Sequence, residues 1–161
     1  MRPFLILQAR PETEAAEDEF DAFLAKGGLG AADTVRIRLD REPLPQALDL
    51  DRFSGVIVGG GPGCVSDAPE KKTPVEKRIE DSVLGLMPEI TANDVPFLGC
   101  CYGIGILAHH LGATVSKARY GEAVGAVTCA VTEEGRRDPL LAAAPDRFRA
   151  FVGHKEAVQV L

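Results

Sequence analysis

The 161-residue sequence predicts an α/β fold, with an open, mostly parallel sheet, helices on both faces and an antiparallel extension. Up to about residue 111, strand-like and helix-like segments alternate, and the strand-like segments are nearly continuous apolar runs. Such runs are typical of a parallel sheet that is covered on both faces. Beyond Gly112 the segments are shorter and are separated by glycine turns. Because this length suffices for one core, we expect a single domain over residues 1–161.

The first part of the chain predicts a strand, a helix and a second strand. Phe4 to Gln8 is an apolar run that predicts the first strand. Glu12 to Lys26 carries apolar residues at helical spacing, and Gly27-Gly28 ends that helix. Thr34 to Leu39 alternates apolar and basic residues, which indicates a strand that is less fully buried than the first.

Two further strand–helix units follow. Phe53 to Gly60 predicts a buried strand, and Pro74 to Asn93 predicts a helix, with the proline suited to its first turn. Pro96 to Cys100 predicts the next strand and Tyr102 to Leu111 the next helix. The extension is predicted as three shorter strands, over Ala113 to Lys117, Ala123 to Thr132 and Phe148 to Val152.

Composition excludes several classes of partner. The chain has 24 acidic and 18 basic side chains, a net charge of −6, whereas binding to nucleic acid needs a basic face. No apolar run reaches membrane-spanning length, and the apolar start of the chain ends at Gln8, which favours a first strand over a signal sequence. The four cysteines do not suggest a disulfide framework, and His109-His110 matches no zinc motif. We expect a cytoplasmic protein without a metal or organic cofactor.

The segment Gly99-Cys100-Cys101-Tyr102-Gly103 is the cysteine version of a nucleophile elbow, a sharp strand-to-helix turn. A residue on such a turn has a strained backbone, and the flanking glycines let the strand and the helix pass closely. The N-terminus of the following helix favours the thiolate form of Cys101. A small buried cysteine at a strand end is the alternative, but the glycine frame favours a nucleophile.

A second motif, Gly59-Gly60-Gly61-Pro62-Gly63, ends a buried strand. Ligands bind at that edge of a parallel sheet, and glycine N–H groups there can stabilise the negative charge that develops in acyl transfer. A Walker loop would end in Gly-Lys-Ser/Thr, but Cys64 follows here, and the spacing of a dinucleotide loop is missing. A plain tight turn is the remaining alternative.

The third motif is Gly153-His154-Lys155-Glu156. A histidine at a strand end could be the base of a cysteine dyad, with Glu156 orienting it from two residues away. A solvated turn histidine is the alternative interpretation of the same residues.

In this order, the three motifs resemble a class I glutamine amidotransferase domain over essentially the whole chain, and in particular stand-alone domains similar to the amidotransferase half of GMP synthase. The resemblance implies a flavodoxin-like sheet and a thiolate that attacks the side-chain amide of glutamine, releases ammonia and leaves a thioester for water to hydrolyse. It implies Cys101 as the nucleophile, with backbone N–H groups of Gly61 and Tyr102 as the oxyanion hole. The substrate-binding positions that it implies are Gly60, Gly105, Gly153, His154 and Lys155.

The chain departs from the family pattern at two points. Gly105 stands where the family has a glutamine that helps to hold the substrate, and the sequence contains no His-Pro-Glu motif. His154 and Glu156 then fall in the substrate-side turn and not at the catalytic pair. We expect the natural protein to continue past Leu161 through a strand pair that carries a histidine and a glutamate. Residues 1–161 alone should have little glutaminase activity, and turnover comparable to that of a longer form would restore His154 as the base.

The leading function is therefore a glutamine amidotransferase-type enzyme. Its substrate would be glutamine or a γ-glutamyl compound, and, because the chain shows no ATP loop, ammonia would pass to a separate acceptor protein. Two alternatives remain open: a γ-glutamyl hydrolase or cysteine peptidase on the same scaffold, which Gly105 favours, and a degenerate domain that binds a metabolite or partner without turnover.

Overall fold

The computed structural model describes residues 2–160, and strands and helices alternate through the first two thirds of the chain as the sequence predicts. The elements are β1 (Phe4–Gln8), α1 (Thr13–Gly27), β2 (Thr34–Arg38), β3 (Gly55–Val58), α2 (Pro74–Ala92), β4 (Phe97–Gly99), α3 (Tyr102–His110), β5 (Thr114–Ser116), β6 (Glu122–Ala130), α4 (Glu133–Arg137), β7 (Arg147–His154) and β8 (Ala157–Val160).

The first four strands form one parallel sheet in the order β2-β1-β3-β4. In this sheet Leu7 pairs with Ile37 on one side and with Val58 on the other. The chain order reverses between β1 and β3, and ligands of open α/β sheets bind in the crevice at the carboxyl ends of the strands beside such a point. The glycine motif at residues 59–63 follows β3, and the turn at Cys101 follows β4, so both lie at this edge of the sheet.

Helices cover both faces of the parallel sheet, as predicted. Successive side chains of a strand point to opposite faces, so Leu5 and Leu7 share one face, where they join a buried cluster that includes Val83 of α2 and Ile106 of α3. On the other face the buried side chain of Gln8 donates a hydrogen bond of 2.7 Å from Nε2 to the carbonyl oxygen of Ala16 in α1. The helix α1 therefore lies opposite α2 and α3.

The antiparallel extension consists of two separate two-stranded sheets, β5–β8 and β6–β7. The sequence did not predict β8, because Ala157–Val160 forms a strand only by pairing with β5, some forty residues earlier in the chain. The sequence predicts only glycine turns between these strands, whereas the short helix α4 forms between β6 and β7; the Thr132 side chain accepts a hydrogen bond from the Gly135 N–H and caps this helix.

Capping residues determine where α2 begins and where α1 ends. The helix α2 begins with a capping box between Thr73 and Glu76 and with Pro74 in its first turn. The helix α1 ends at Gly27, and the next residue, Gly28, has φ 63° and donates its N–H to the Leu24 carbonyl oxygen as a left-handed cap. Over residues 2–160, no helix combines the length and the apolar character needed to cross a bilayer.

Candidate active site

Cys101 occupies the turn between β4 and α3, with φ 52° and ψ −100°. A positive φ is strained for a residue with a side chain, and such strain persists where the surrounding structure enforces it. The Gly103 N–H donates to the carbonyl oxygen of Cys100 at 3.0 Å, which closes the turn, and the Cys101 side chain is exposed. The predicted strand–turn–helix elbow is therefore present.

The glycines that flank the elbow are required by close backbone approaches. A Cβ atom at Gly99 would lie 2.6 Å from the carbonyl carbon of Gly103, inside the first turn of α3. A Cβ atom at Gly103 would lie 2.6 Å from the carbonyl oxygen of Val58 in β3. Because both neighbours are backbone atoms, any side chain at either glycine would push α3 away from the sheet.

Two backbone donors lie beside the elbow. The glycine loop (residues 59–66) leaves the end of β3, and within residues 2–160 its Gly61 N–H donates no hydrogen bond. Tyr102 is the first residue of α3, and the N–H groups of a first helical turn have no partner inside the helix. Gly61, Tyr102 and Cys101 all line the same pocket. The two predicted oxyanion donors and the predicted nucleophile thus share one space.

The pocket has a volume of about 310 Å³ and lies between the glycine loop, the elbow and the strands β6 and β7. Its wall is formed by Gly61, Pro62, Gly63, Cys64, Cys101, Tyr102, Glu122, Ala123, Val124, Gly153, His154, Lys155 and Glu156. The predicted substrate-side residues Gly153, His154 and Lys155 are therefore brought together with Cys101. The other two predicted positions, Gly60 and Gly105, are buried and are not among the residues that line the pocket.

His154 and Glu156 do not form a pair. His154 Nε2 lies 2.7 Å from the carbonyl oxygen of Tyr120 and 3.8 Å from Glu122 Oε2. The Glu156 carboxylate instead accepts hydrogen bonds from the Val65 N–H at 2.8 Å and the Ser66 N–H at 2.9 Å. This geometry separates the two side chains that a cysteine dyad with an orienting carboxylate would need to join.

Tyr102 anchors the elbow to α2. Its hydroxyl donates to Glu80 Oε2 at 3.2 Å, and Lys72 Nζ contacts both oxygens of the same carboxylate at 2.7 Å. Lys72 also donates to the carbonyl oxygen of Val65 at 3.1 Å, which joins this group to the glycine loop. Burial, followed by the Glu80 charge, raises the pKa of Tyr102 far above its usual range, so the hydroxyl keeps its proton.

Arg10 and Glu19 are functional candidates that the sequence did not reveal. A Cβ atom at Gly60 would lie 2.6 Å from Arg10 Nη2 and 3.5 Å from Cys101 Cβ, so the guanidinium and the candidate nucleophile border the same small space. Glu19 holds Arg10 in place by accepting from its Nε at 3.1 Å. In the sequence, the only indication of a functional role for Arg10 is that it follows β1, at the edge of the sheet where ligands bind.

The other cysteines differ from Cys101 in exposure. Cys64 is buried and Cys100 is half-buried, and burial raises the pKa of both thiols. In the pair His109-His110, His110 Nε2 lies 3.1 Å from Thr91 Oγ1, so this histidine contacts α2. Among residues 2–160 no cluster of histidine, cysteine and carboxylate side chains is arranged to hold a metal ion.

Comparisons with known proteins point to one family. Residues 29–161 match the family Glutamine amidotransferase class-I. A subunit of the glutamine-hydrolyzing GMP synthase from Natronomonas pharaonis is 26% identical over 123 residues, and the glutamine-hydrolyzing GMP synthase from Lactobacillus delbrueckii subsp. bulgaricus is 32% identical over 133 residues. A crystal structure of a glutamine amidotransferase from Thermotoga maritima superposes with a TM-score of 0.70 at 24% identity.

These relatives are longer than the chain. The matches cover 76% of the chain and 54% of the Natronomonas protein, and 78% of the chain and 23% of the Lactobacillus protein. The superposition covers 99% of the chain and 64% of the Thermotoga chain. The family match extends over most of the sequence and includes the glycine loop, the elbow and the turn at His154. This chain belongs to the class-I glutamine amidotransferase family.

Proposed function

We propose that this chain carries the glutamine-hydrolysing site of an amidotransferase, with Cys101 as the nucleophile. The observation that carries the proposal is the placement of an exposed, strained cysteine in one pocket with the two backbone donors Gly61 and Tyr102. An acyl-transfer site needs this combination, because the attacking sulfur and the donors for the developing oxyanion must address one carbonyl group.

The reaction proceeds in two steps. The Cys101 thiolate attacks the side-chain amide carbon of glutamine, and the N–H groups of Gly61 and Tyr102 bind the negative oxygen of the tetrahedral intermediate. The intermediate collapses with cleavage of the carbon–nitrogen bond, and the nitrogen leaves as ammonia after it gains a proton. Water then attacks the resulting thioester, which releases glutamate and restores the thiolate.

The predicted substrate-side wall carries charges that suit the carboxylate and ammonium groups of an amino acid. Gly153, His154 and Lys155 form the wall that faces the elbow, and Glu122 lies on the same wall. We assign the exposed Lys155 ammonium to the carboxylate of glutamine and the Glu122 carboxylate to its ammonium group.

Neither His154 nor His110 is proposed as the proton acceptor for Cys101. His154 Nε2 is directed to the Tyr120 carbonyl oxygen, and His110 contacts Thr91. We further propose that a separate protein in the cytoplasm accepts the ammonia, because two of the curated relatives are named as one subunit of GMP synthase.

A chloroketone analogue of glutamine tests this proposal. We expect it to label Cys101, and we expect free glutamine to protect this thiol. The variant Cys101→Ser should lose the label, whereas Cys129→Ser, which alters a half-buried cysteine outside the pocket wall, should keep it. Labelling at another cysteine, or labelling that glutamine does not slow, would contradict the assignment.

A γ-glutamyl hydrolase is the second candidate, and Gly105 is the observation that favours it. The family carries an amide-bearing side chain at this position that helps to hold glutamine, whereas Gly105 has no side chain and its Cβ position would lie 3.2 Å from Glu156 Oε1. Protection experiments separate the two functions, because a γ-glutamyl peptide that protects Cys101 better than glutamine does would favour the hydrolase.

A further inference from the structure

We propose that Glu19 and Glu156 are positioning residues that hold the glycine loop from its two ends and so place the Gly61 N–H in the pocket. This inference rests on the proposed function, because it assigns a task to two carboxylates that serve the oxyanion hole. Neither glutamate is near the loop in sequence: one lies on α1 and the other in the turn between β7 and β8.

Glu156 holds the far end of the loop. Its Oε1 accepts the Val65 N–H at 2.8 Å, and its Oε2 accepts both the Ser66 N–H at 2.9 Å and the Ser66 hydroxyl at 2.7 Å. Both oxygens of one carboxylate therefore bind consecutive backbone amides. Hydrogen bonds to an ionised acceptor are shorter and stronger than neutral ones, so this end of the loop is firmly fixed.

Glu19 holds the near end. Its Oε1 accepts the Gly60 N–H at 2.9 Å and the Arg10 Nε–H at 3.1 Å, and its Oε2 accepts from Gln8 Nε2 at 2.9 Å. The Glu19 side chain is only 13% exposed, and a side chain at Gly59 would overlap it. The carboxylate thus has a single orientation, which fixes the amide that directly precedes Gly61.

Gly61 lies between the two parts of the glycine loop that Glu19 and Glu156 bind. Gly60 on one side and Val65 with Ser66 on the other are bound through their N–H groups, whereas the Gly61 N–H has no protein acceptor within residues 2–160. A donor that is aimed at a reacting oxygen is effective only when its position is set before the reaction. The carboxylates supply that fixed position from outside the loop.

Amide hydrogen exchange tests the geometry directly. In Glu156→Gln we expect the Val65 and Ser66 amides to exchange about tenfold faster, because an NH₂ group replaces one charged acceptor oxygen. In Glu19→Gln the same effect is expected at Gly60. Two variants serve as matched controls: Glu17→Gln alters another carboxylate of α1, which binds Arg36, and Asp67→Asn removes an ion pair with Lys117 next to the loop. Neither control should change exchange at the three amides.

Labelling of Cys101 tests the consequence for the site. The chloroketone analogue of glutamine presents a carbonyl oxygen to the oxyanion donors, whereas iodoacetamide reacts with the thiolate by displacement and does not need them. We expect Glu19→Gln and Glu156→Gln to lower the rate of chloroketone labelling about tenfold or more, as expected for a misplaced oxyanion donor. The rate with iodoacetamide should stay within about twofold of the parent protein, and a structural collapse of the elbow would instead change both rates.

The outcomes separate this inference from the proposed function. Unchanged exchange at Gly60, Val65 and Ser66 in the two variants would overturn the inference even if the parent protein reacts with the chloroketone. Equal effects on both reagents would also overturn it. Faster exchange in a protein that the chloroketone never labels would support the loop anchors and would contradict glutamine as the substrate.

Discussion

Gly105 of α3 lies directly against Glu156: a Cβ atom at residue 105 would be 3.2 Å from Glu156 Oε1, the oxygen that accepts the Val65 N–H. Residues 105 and 156 are on different elements, and the contact brings the elbow helix together with the turn after β7. The departure from the family pattern at Gly105 is therefore linked to the carboxylate that binds the glycine loop. The family has a glutamine residue at the position of Gly105, and the first carbon of such a side chain would here lie next to the Glu156 carboxylate.

Replacing Gly105 tests this link. Alanine in a helix interior is favoured over glycine by about 1 kcal/mol, but at residue 105 crowding of Glu156 should cancel that gain. We expect Gly105→Ala to leave the free energy of unfolding in urea nearly unchanged and to speed exchange of the Val65 amide. In a Glu156→Ala background the same substitution should stabilise, with a coupling of about 0.5 kcal/mol or more. Additive effects of the two substitutions would show that the residues do not interact.

Replacing Gly103 should have a much larger effect. Its Cβ would meet the Val58 carbonyl oxygen at 2.6 Å, and a backbone atom in a sheet cannot move aside. We expect Gly103→Ala to lower the free energy of unfolding by about 1–3 kcal/mol, the range for overpacked sites. Gly85→Ala is the matched control, because among the described residues no atom beyond the neighbouring backbone of α2 lies within 4 Å of the Cβ position of this exposed glycine. The control should stabilise the protein by about 0.5–1 kcal/mol, and equal effects at both glycines would contradict the close approach of α3 to β3.

The sequence predicted those parts of the fold that depend on local patterns. The apolar run at Phe4–Gln8 and the glycines around Cys101 specify a buried strand and a sharp turn through their own chemistry, and the structure has both. The strand β8 was missed because its pairing with β5 joins segments that are distant in the chain. A short apolar segment does not reveal by itself which edge it will meet.

The anchors of the glycine loop could not be predicted for a related reason. Glu19 is one of several acidic residues of α1, and in the sequence it is indistinguishable from Glu17, which stays exposed. Tertiary packing places Glu19 beside Gly60 and leaves Glu17 at the surface. For the same reason, the sequence suggests Glu156 as a partner of His154, two residues away, whereas the hydrogen-bond partners of Glu156 are Val65 and Ser66.

Alkaline pH should destabilise the protein through Tyr102. The pKa of Tyr102 is raised in the folded state, chiefly by burial, whereas in the unfolded chain it is near the ordinary value of about 10. The group therefore stabilises the fold fully below pH 10, and this contribution is lost as the pH rises above that value. We expect the free energy of unfolding in urea to fall more steeply above pH 10 for the parent protein than for Tyr102→Phe. The exposed Tyr120 supplies the control, since Tyr120→Phe should leave the steep fall in place.

Arg10 should attract anionic reagents to Cys101. Its Nη2 and the Cys101 Cβ border the same position above Gly60, and its Nε is held by Glu19. We expect Arg10→Gln to slow labelling of Cys101 by the anion iodoacetate about two- to fivefold relative to labelling by the neutral iodoacetamide, because a partly exposed charge acts through screened attraction. The ratio of the two rates cancels any change in the reactivity of the thiol itself, and raising the salt concentration should shrink the difference. Arg41→Gln removes an arginine that binds Thr13 at the surface, so it should leave the ratio unchanged. An unaltered ratio in Arg10→Gln would mean that the guanidinium exerts no electrostatic effect at Cys101 and serves only to orient Glu19.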